Sequence, residues 1–450
     1  MFFLIYSTQY SFLNDSRGFA MHETGLAAPV LILAGLLLLA TSSSILLKKL
    51  RFPYTIGLVV IGMALGILAQ YTDALEPVLK VDLSHDLIMY VLLPILIFDA
   101  AINIKPPHLF REMGSVMNLA VFGVVLSMLV IGVIMNALTP LSLAGAMLFG
   151  ALISATDPVA VIALFKEVGA PARMSMLMDA ESLFNDATAI VIFGIVLAVI
   201  QAGGGVGTGV VLGGVWSFIE VFFGGILVGT IMGIATHWLL KLGKSEPFVQ
   251  IAHTTILAYG SFIIADHVLG VSGVMSTIAA GIVTRSESGK VLSDQVRSFI
   301  TPYWEFMAFL ANSLIFLLLG MKEDLLFRNL EHLQNYYPYL LIAIAAVLIG
   351  RLVVVYLLLP ISNRLPVGRP VDNKTKAIMF WGGLRGVVPV ALMLSIPDSI
   401  PEKKLIIDMT LAVILFSLLV QGTTVNWLMT KLDVNQHYHV VREAMKKLGG

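Results

Sequence analysis

Cysteine is absent from the 450 residues, which removes disulfides and thiol chemistry and says nothing about compartment. Charge is scarce as well: Asp, Glu, Lys and Arg make up 12% of the chain, about half the share of an average soluble domain. The 28 basic and 28 acidic residues cancel. No basic block or aromatic–basic interleaving of the kind that holds nucleic acid is present. A GxxxxGK[ST] nucleotide loop is also missing, so ATP-driven work would need another subunit. The opening MFFLIYSTQYSFLNDSRGFA has no basic stretch ahead of its apolar part and makes a poor signal peptide, and Met21 is an alternative start. Residues 1–25 are expected as a peripheral tail and 432–450 as a short cytoplasmic one, with no appended soluble domain.

Apolar length is in excess. Hydrophobic residues are 58% of the chain, and many runs reach the ~20 residues that cross about 30 Å of hydrocarbon. The runs are continuous, unlike the ~10-residue alternating segments of a β-barrel. The fold class is therefore an all-α polytopic membrane protein. Hydropathy and loop punctuation give thirteen candidate spans between about residues 27 and 430. Only "DHVLGVSG" divides the eighth (248–266) from the ninth (268–284), so twelve spans with one re-entrant segment is the alternative. With the N-terminus outside and the spans alternating, twenty Lys and Arg fall on the inner side and six on the outer. That is the bias of a chain with its C-terminus in the cytoplasm.

Polar residues inside the runs need a reason, because each charge costs ~2.5–3.5 kcal/mol at a bilayer centre. Glu220, Asp266 and Glu305 lie near span ends, where headgroups or water solvate them, and Arg351 can snorkel toward the inner face. Asp99, Asp157, Glu181, Asp186 and Arg385 lie deeper. In the fifth span, "ISATDPVAVIALF", Pro158 removes the donor for the Ser154 carbonyl and pushes Asp157 out of the helical region. A helix interrupted at 154–158 would expose oxygens beside the Asp157 carboxylate and the Thr156 hydroxyl. Irregular backbone at this depth is tolerated where it lines a cavity, and hard cations take such oxygens. The plainer alternative is a proline kink with an Asp bonded to its own backbone.

The sixth span, "MDAESLFNDATAIVIF", places Glu181, Ser182, Asn185 and Asp186 on one arc of roughly 140°. The twelfth, "FWGGLRGVVPVALML", surrounds Arg385 with Gly382, Gly383 and Gly386, and its Pro389 frees the Arg385 carbonyl, so it too is expected to break. Arg385 must be paired at that depth, with Glu181, Asp157 and Asp186 as candidates. Spans five and twelve are seven apart, so a repeat relating spans 1–6 to spans 8–13 would be inverted, the pointer to a transporter's midplane site. The third span, "LLPILIFDAAI", has Pro94 and Asp99 in the same style.

The segments "ATDPVAV", "AESLFNDATAIVIF", "LLPILIFDA", "FLANSLIFLLLG" and "GGLRGVVPVAL" closely resemble the sodium/proton antiporters of the NhaP and eukaryotic NHE type. The likeness runs from about residue 27 to 430. It implies thirteen helices in a transmembrane domain at 26–431 and a homodimer. It also implies a core bundle at about 115–200 and 337–430, moving against a dimerisation scaffold at about 27–102 and 215–320. By the same resemblance Asn185 and Asp186 carry transport, and Asp99, Thr156, Asp157 (through its backbone), Ser182 and Asp186 hold the ion. Asp99 is one methylene shorter than the Glu of some relatives. Glu181 is expected to pair with Arg385 as a clamp, and the Asn185–Asp186 pair marks the electroneutral branch. The long regulatory tail of eukaryotic members is missing, which suggests the inner membrane of a prokaryote.

The expected function is exchange of Na⁺, or Li⁺, for H⁺ by alternating access, both cations competing for Asp186 and no cofactor taking part. The rivals are K⁺/H⁺ exchange on the same fold and a cation channel. An intramembrane protease resting on "GVSG" at 270–273 is disfavoured, because a serine dyad needs a placed histidine.

Overall fold

The computed structural model describes residues 27–50, 52–72, 81, 83–158, 161, 162, 165, 171–203, 208–242, 246–291, 294–322, 330–363 and 370–432, and among these it is helical without strands. The expected tail at 1–25, all but the first residue of the one at 432–450, and most of 159–170 lie outside them. The chain enters through α1 (Ala27–Lys49), α2 (Tyr54–Gln70) and α3 (Leu87–Asn103). Then come α4 (Pro106–Leu138), α5 (Leu143–Ile153) and α6 (Ala172–Gln201). The middle is α7 (Thr208–Leu242), α8 (Pro247–Val268), α9 (Gly273–Val291) and α10 (Asp294–Lys322). It closes with α11 (Tyr337–Ser362), α12 (Asn373–Trp381), α13 (Val387–Leu394) and α14 (Lys403–Lys431). Eight of these helices are long and apolar enough to cross a membrane.

Helix starts follow from local chemistry. Pro106 and Pro247 open α4 and α8, where a missing N–H costs nothing. Ser142, Ser272 and Asp372 accept the backbone N–H of Gly145, Met275 and Thr375, each at 3.1 Å, and so cap α5, α9 and α12. The uncertain junction of spans eight and nine is a turn through Gly270, whose φ of 65° suits a residue without a side chain. So α8 and α9 are separate helices.

Packing sorts the helices into two groups. In one, α7 lies on α9, α2 on α10, and α3 on α9 and α10; in the other, α4 lies on α5 and α11, α5 on α6, and α11 on α14. The α2–α10 seam is close because glycines meet backbone: a Cβ on Gly320 would strike the Val59 carbonyl and lie 3.0 Å from the Met63 nitrogen. Gly320→Ala is therefore expected to destabilise the protein by about 1–3 kcal/mol through overpacking. A melting temperature equal to that of the unmodified protein in the same detergent would contradict this.

The exposed face of α7 records the membrane. Trp216 and Trp238 are 67% and 63% exposed, and their spacing corresponds to about 33 Å of helix, the distance between two interfaces. Lys241 lies 4.7 Å over the Trp238 ring and Lys431 4.8 Å over the Trp427 ring, a cation and an amphipathic ring sharing each interface. Glu220, a turn beyond Trp216, is exposed near the opposite interface, in keeping with its place close to a span end.

Candidate functional site

Helix α5 stops at Ile153, and 155–158 have no regular structure, where Pro158 was expected to open the span. Beyond the gap the chain turns again, the Ile162 N–H donating to the Pro158 carbonyl at 2.7 Å. The partner break lies between Trp381 and Val387, and Pro389 falls in the first turn of α13, where its missing donor is tolerated. The two openings touch: the Asp157 N–H donates to the Leu384 carbonyl at 2.8 Å. Two half-helices thus end, and a third begins, within one small volume inside the bundle.

Each end meets the charge its dipole favours. The Arg385 guanidinium donates to the Ser154 and Ala155 carbonyls at 3.0 and 2.9 Å, capping the C-terminal end of α5. Arg351 donates to the Met379 carbonyl from Nε at 3.2 Å and Nη2 at 3.0 Å, doing the same for α12. Asp157 lies against Gly386 at the N-terminal end of α13, so close that a Cβ there would collide with its carboxyl group. At the far end of α5, the Glu402 carboxylate accepts the Ser142 N–H at 2.7 Å. Further bonds steady the second break: the Arg385 N–H donates to the Ser417 hydroxyl at 3.1 Å and the Gln421 amide to the Trp381 carbonyl at 3.1 Å. Both partners lie on a π turn of α14, Ser417–Gln421, and such turns are frequent at functional sites.

This arrangement corrects two expectations. Glu181 is bonded through both oxygens to Arg351, not to Arg385, with Nη2 3.1 Å from Oε2. Arg351, expected to snorkel, is 6% exposed and points into the bundle. The physical reason is length: an arginine on α11 spans the gap to α6 and keeps two donors for α12, whereas Arg385 turns its Nη1 to the carbonyls of Ser154 and Ala155. Glu181 still acts on Arg385 electrostatically across the site.

The residues expected to hold an ion gather around Thr156. The Asn185 Oδ1 accepts the Thr156 N–H at 3.3 Å, and its Nδ2 donates to the Thr156 hydroxyl at 2.7 Å. The Ser182 hydroxyl donates to the Thr156 carbonyl. All three polar groups of one irregular residue are thus held by one face of α6. Asp186, one residue on, is half-buried, and its charged neighbour is Asp157. Asp99 lies on α3, a helix that packs against α6, and accepts the Asn103 amide at 2.9 Å.

Some charged groups that brace the bundle around the site were not found by sequence reasoning. Glu112 is buried and holds Arg173 through both oxygens at 2.8 and 2.9 Å, while Arg173 also donates to the Pro370 carbonyl at 3.2 Å, tying α4, α6 and the approach to α12. Glu112 sits in the polar first part of α4, ahead of the apolar run, so hydropathy gave no signal. For Glu402, the signal was an acid beside a span end facing a serine-capped helix.

The family model described as "Sodium/hydrogen exchanger, transmembrane" matches residues 35–431. The chain is 36% identical over 409 residues, 90% of its length and 74% of the other, to the low-affinity Na(+)/H(+) antiporter NhaS1 of Synechocystis. It is 35% identical over 411 residues, covering 89% of this chain and 97% of the other, to the Na(+)/H(+) antiporter NhaH of Halobacillus aidingensis. Its fold is similar to that of the sodium proton antiporter MjNhaP1 of Methanocaldococcus jannaschii, with a TM-score of 0.73 at 22% identity, over 90% of this chain and 99% of that one. A match across nearly the whole membrane region, at this identity, places the chain in the sodium/hydrogen exchanger family.

Proposed function

We propose that this protein exchanges Na⁺ for H⁺ across a bilayer, the two cations competing for the Asp186 carboxylate. The observation that carries the reading is the clamp on Thr156, where Asn185 and Ser182 hold an unwound residue beside Asp157 and Asp186. The Thr156 carbonyl accepts the Ser182 hydroxyl. An arriving cation takes the carbonyl, the Thr156 and Ser182 hydroxyl oxygens and the Asp186 carboxylate in place of that bond. Hard cations bind such oxygen sets, and they are mobile enough to release. Protonation of Asp186 removes the charge that holds the ion, so one cation leaves as the other arrives.

The rest of the reading follows from that competition. The bundle of α4–α6 and α11–α14 is the moving core, and α1–α3 with α7–α10 form the scaffold. An empty Asp186 anion crosses the apolar interior at a higher cost than the same site holding either cation; this makes exchange obligatory and, with one charge for one charge, electroneutral. Asn185 acts as the clamp on Thr156, and Asp99 receives the ion from α3. The exposed apolar face of α1, including Leu38 and Ile45, joins two copies in a homodimer. Thirteen crossings, with the N-terminus outside and the C-terminus in the cytoplasm, fit the basic residues of the loops in a prokaryotic inner membrane.

Proton release on adding each alkali cation to purified protein in weak buffer tests this directly. One proton is expected for each Na⁺ or Li⁺ bound. Release with K⁺ alone would move the assignment to K⁺/H⁺ exchange, and uptake without release would overturn the competition.

A further inference from the structure

Immediately before α3, the His85 Nδ1 lies 3.0 Å from the Ala391 carbonyl. A carbonyl only accepts, so the ring N–H donates. Ala391 is in the last turn of α13, where the Ser395 N–H shares the same carbonyl at 3.2 Å. The hydrogen bonds of Tyr54, Tyr90, Tyr259 and Trp304 stay among α1–α3 and α8–α10. Those of Asn118, Glu181 and Trp381 stay among α4–α6 and α11–α14. The His85 bond crosses from one group to the other, and it does so on the half-helix that begins at the candidate site. Any sliding of core past scaffold has to break it.

We propose that His85 is a positioning residue for the exchange: charged by acid from the outer side, it holds α13 to the scaffold and slows the core, and neutral it releases α13 more readily. Two general facts set the sign. Histidine is the side chain that gains and loses a proton between about pH 5 and 8. A cation at a helix C-terminus is favoured over a neutral donor by the unsatisfied carbonyls there. The surroundings leave the histidine as the titratable partner of this contact, since α13 (VVPVALML) has no ionisable side chain. On its own segment stand Asp86 and Tyr90. From α8 come Tyr259 and Asp266, the latter accepting the Tyr90 hydroxyl at 3.0 Å. From α10 come Tyr303, bonded to Thr255 at 2.9 Å, and Glu305; α3 adds Asp99, some 20 Å further along its axis. Past α13, Asp398 is bonded to Lys403 at 2.7 Å.

This inference rests on the exchange reading and on the division into core and scaffold. The test uses full-length protein of uniform orientation in liposomes, with Na⁺-driven proton flux followed while the outer pH is stepped from about 8 to 6 at fixed lumen pH. His85→Gln keeps a neutral donor and His85→Lys keeps a permanent charge. On outer acidification the wild-type rate is expected to fall about two- to fivefold relative to His85→Gln, with no such change on lumen acidification. His85→Lys is expected to be slow at both pH values. A His85→Gln profile that tracks the wild type overturns the proposal. Amide exchange at 391–396, corrected for intrinsic rate, should slow in acid in the wild type and not in His85→Gln. That readout needs no transport: a difference there without flux in any protein faults the exchange reading, and parallel amide exchange faults the latch.

Discussion

Asp186→Asn is expected to reduce Na⁺-driven proton movement to the level of protein-free liposomes while the protein remains folded. Asparagine has the same shape, keeps the oxygen and stays neutral at every working pH, so it neither takes up the proton nor supplies the charge that holds the ion. The clamp on Thr156 is built from Asn185 and Ser182 and survives the change. Removing the charge also relieves Asp157 of a like-charged neighbour, so the melting temperature should hold or rise. Ligand linkage supplies a second readout. Sodium at a hundred times its dissociation constant should stabilise the unmodified protein by about 2.7 kcal/mol, and the variant not at all. Undiminished exchange in vesicles of the variant would remove Asp186 from the mechanism and with it the competition between cations.

Glu181→Ala should cost about 3–5 kcal/mol of stability, because it strands the Arg351 guanidinium in the interior without its carboxylate. Arg351→Ala should cost a similar amount from the other side, and more in function, since the Met379 carbonyl loses its cap as well. The two costs should not add: once one partner is gone, removal of the second relieves a buried charge. Glu181 with Arg385 should come much closer to additivity, because Arg385 is bonded to the Ser154 and Ala155 carbonyls. Melting temperatures of the singles and the two doubles decide the matter. Stronger coupling of Glu181 to Arg385 than to Arg351 would restore the pairing expected from the resemblance.

The two broken spans were legible because proline and glycine act locally. Pro158 removes one donor and constrains one preceding residue whatever surrounds it. The polar arc of α6 was legible for the same reason, since 3.6-residue periodicity places Glu181, Ser182, Asn185 and Asp186 together before any neighbour is known. Arg351 was misread because hydropathy measures depth along one helix and not the direction of a long side chain. Its expected escape to the interface and its actual pairing across to α6 have the same sequence.

Composition and periodicity alone determined that this chain is a membrane-embedded helical bundle with deep carboxylates and two opened helices, because burial cost and backbone donors are properties of residue types. Which arginine meets which acid, that the crossing chains bond to one another through Asp157 and Leu384, and that His85 reaches Ala391 were decided only by tertiary packing. Those contacts join residues up to 306 positions apart, and helix register, not local preference, sets the last few ångströms on which a hydrogen bond depends.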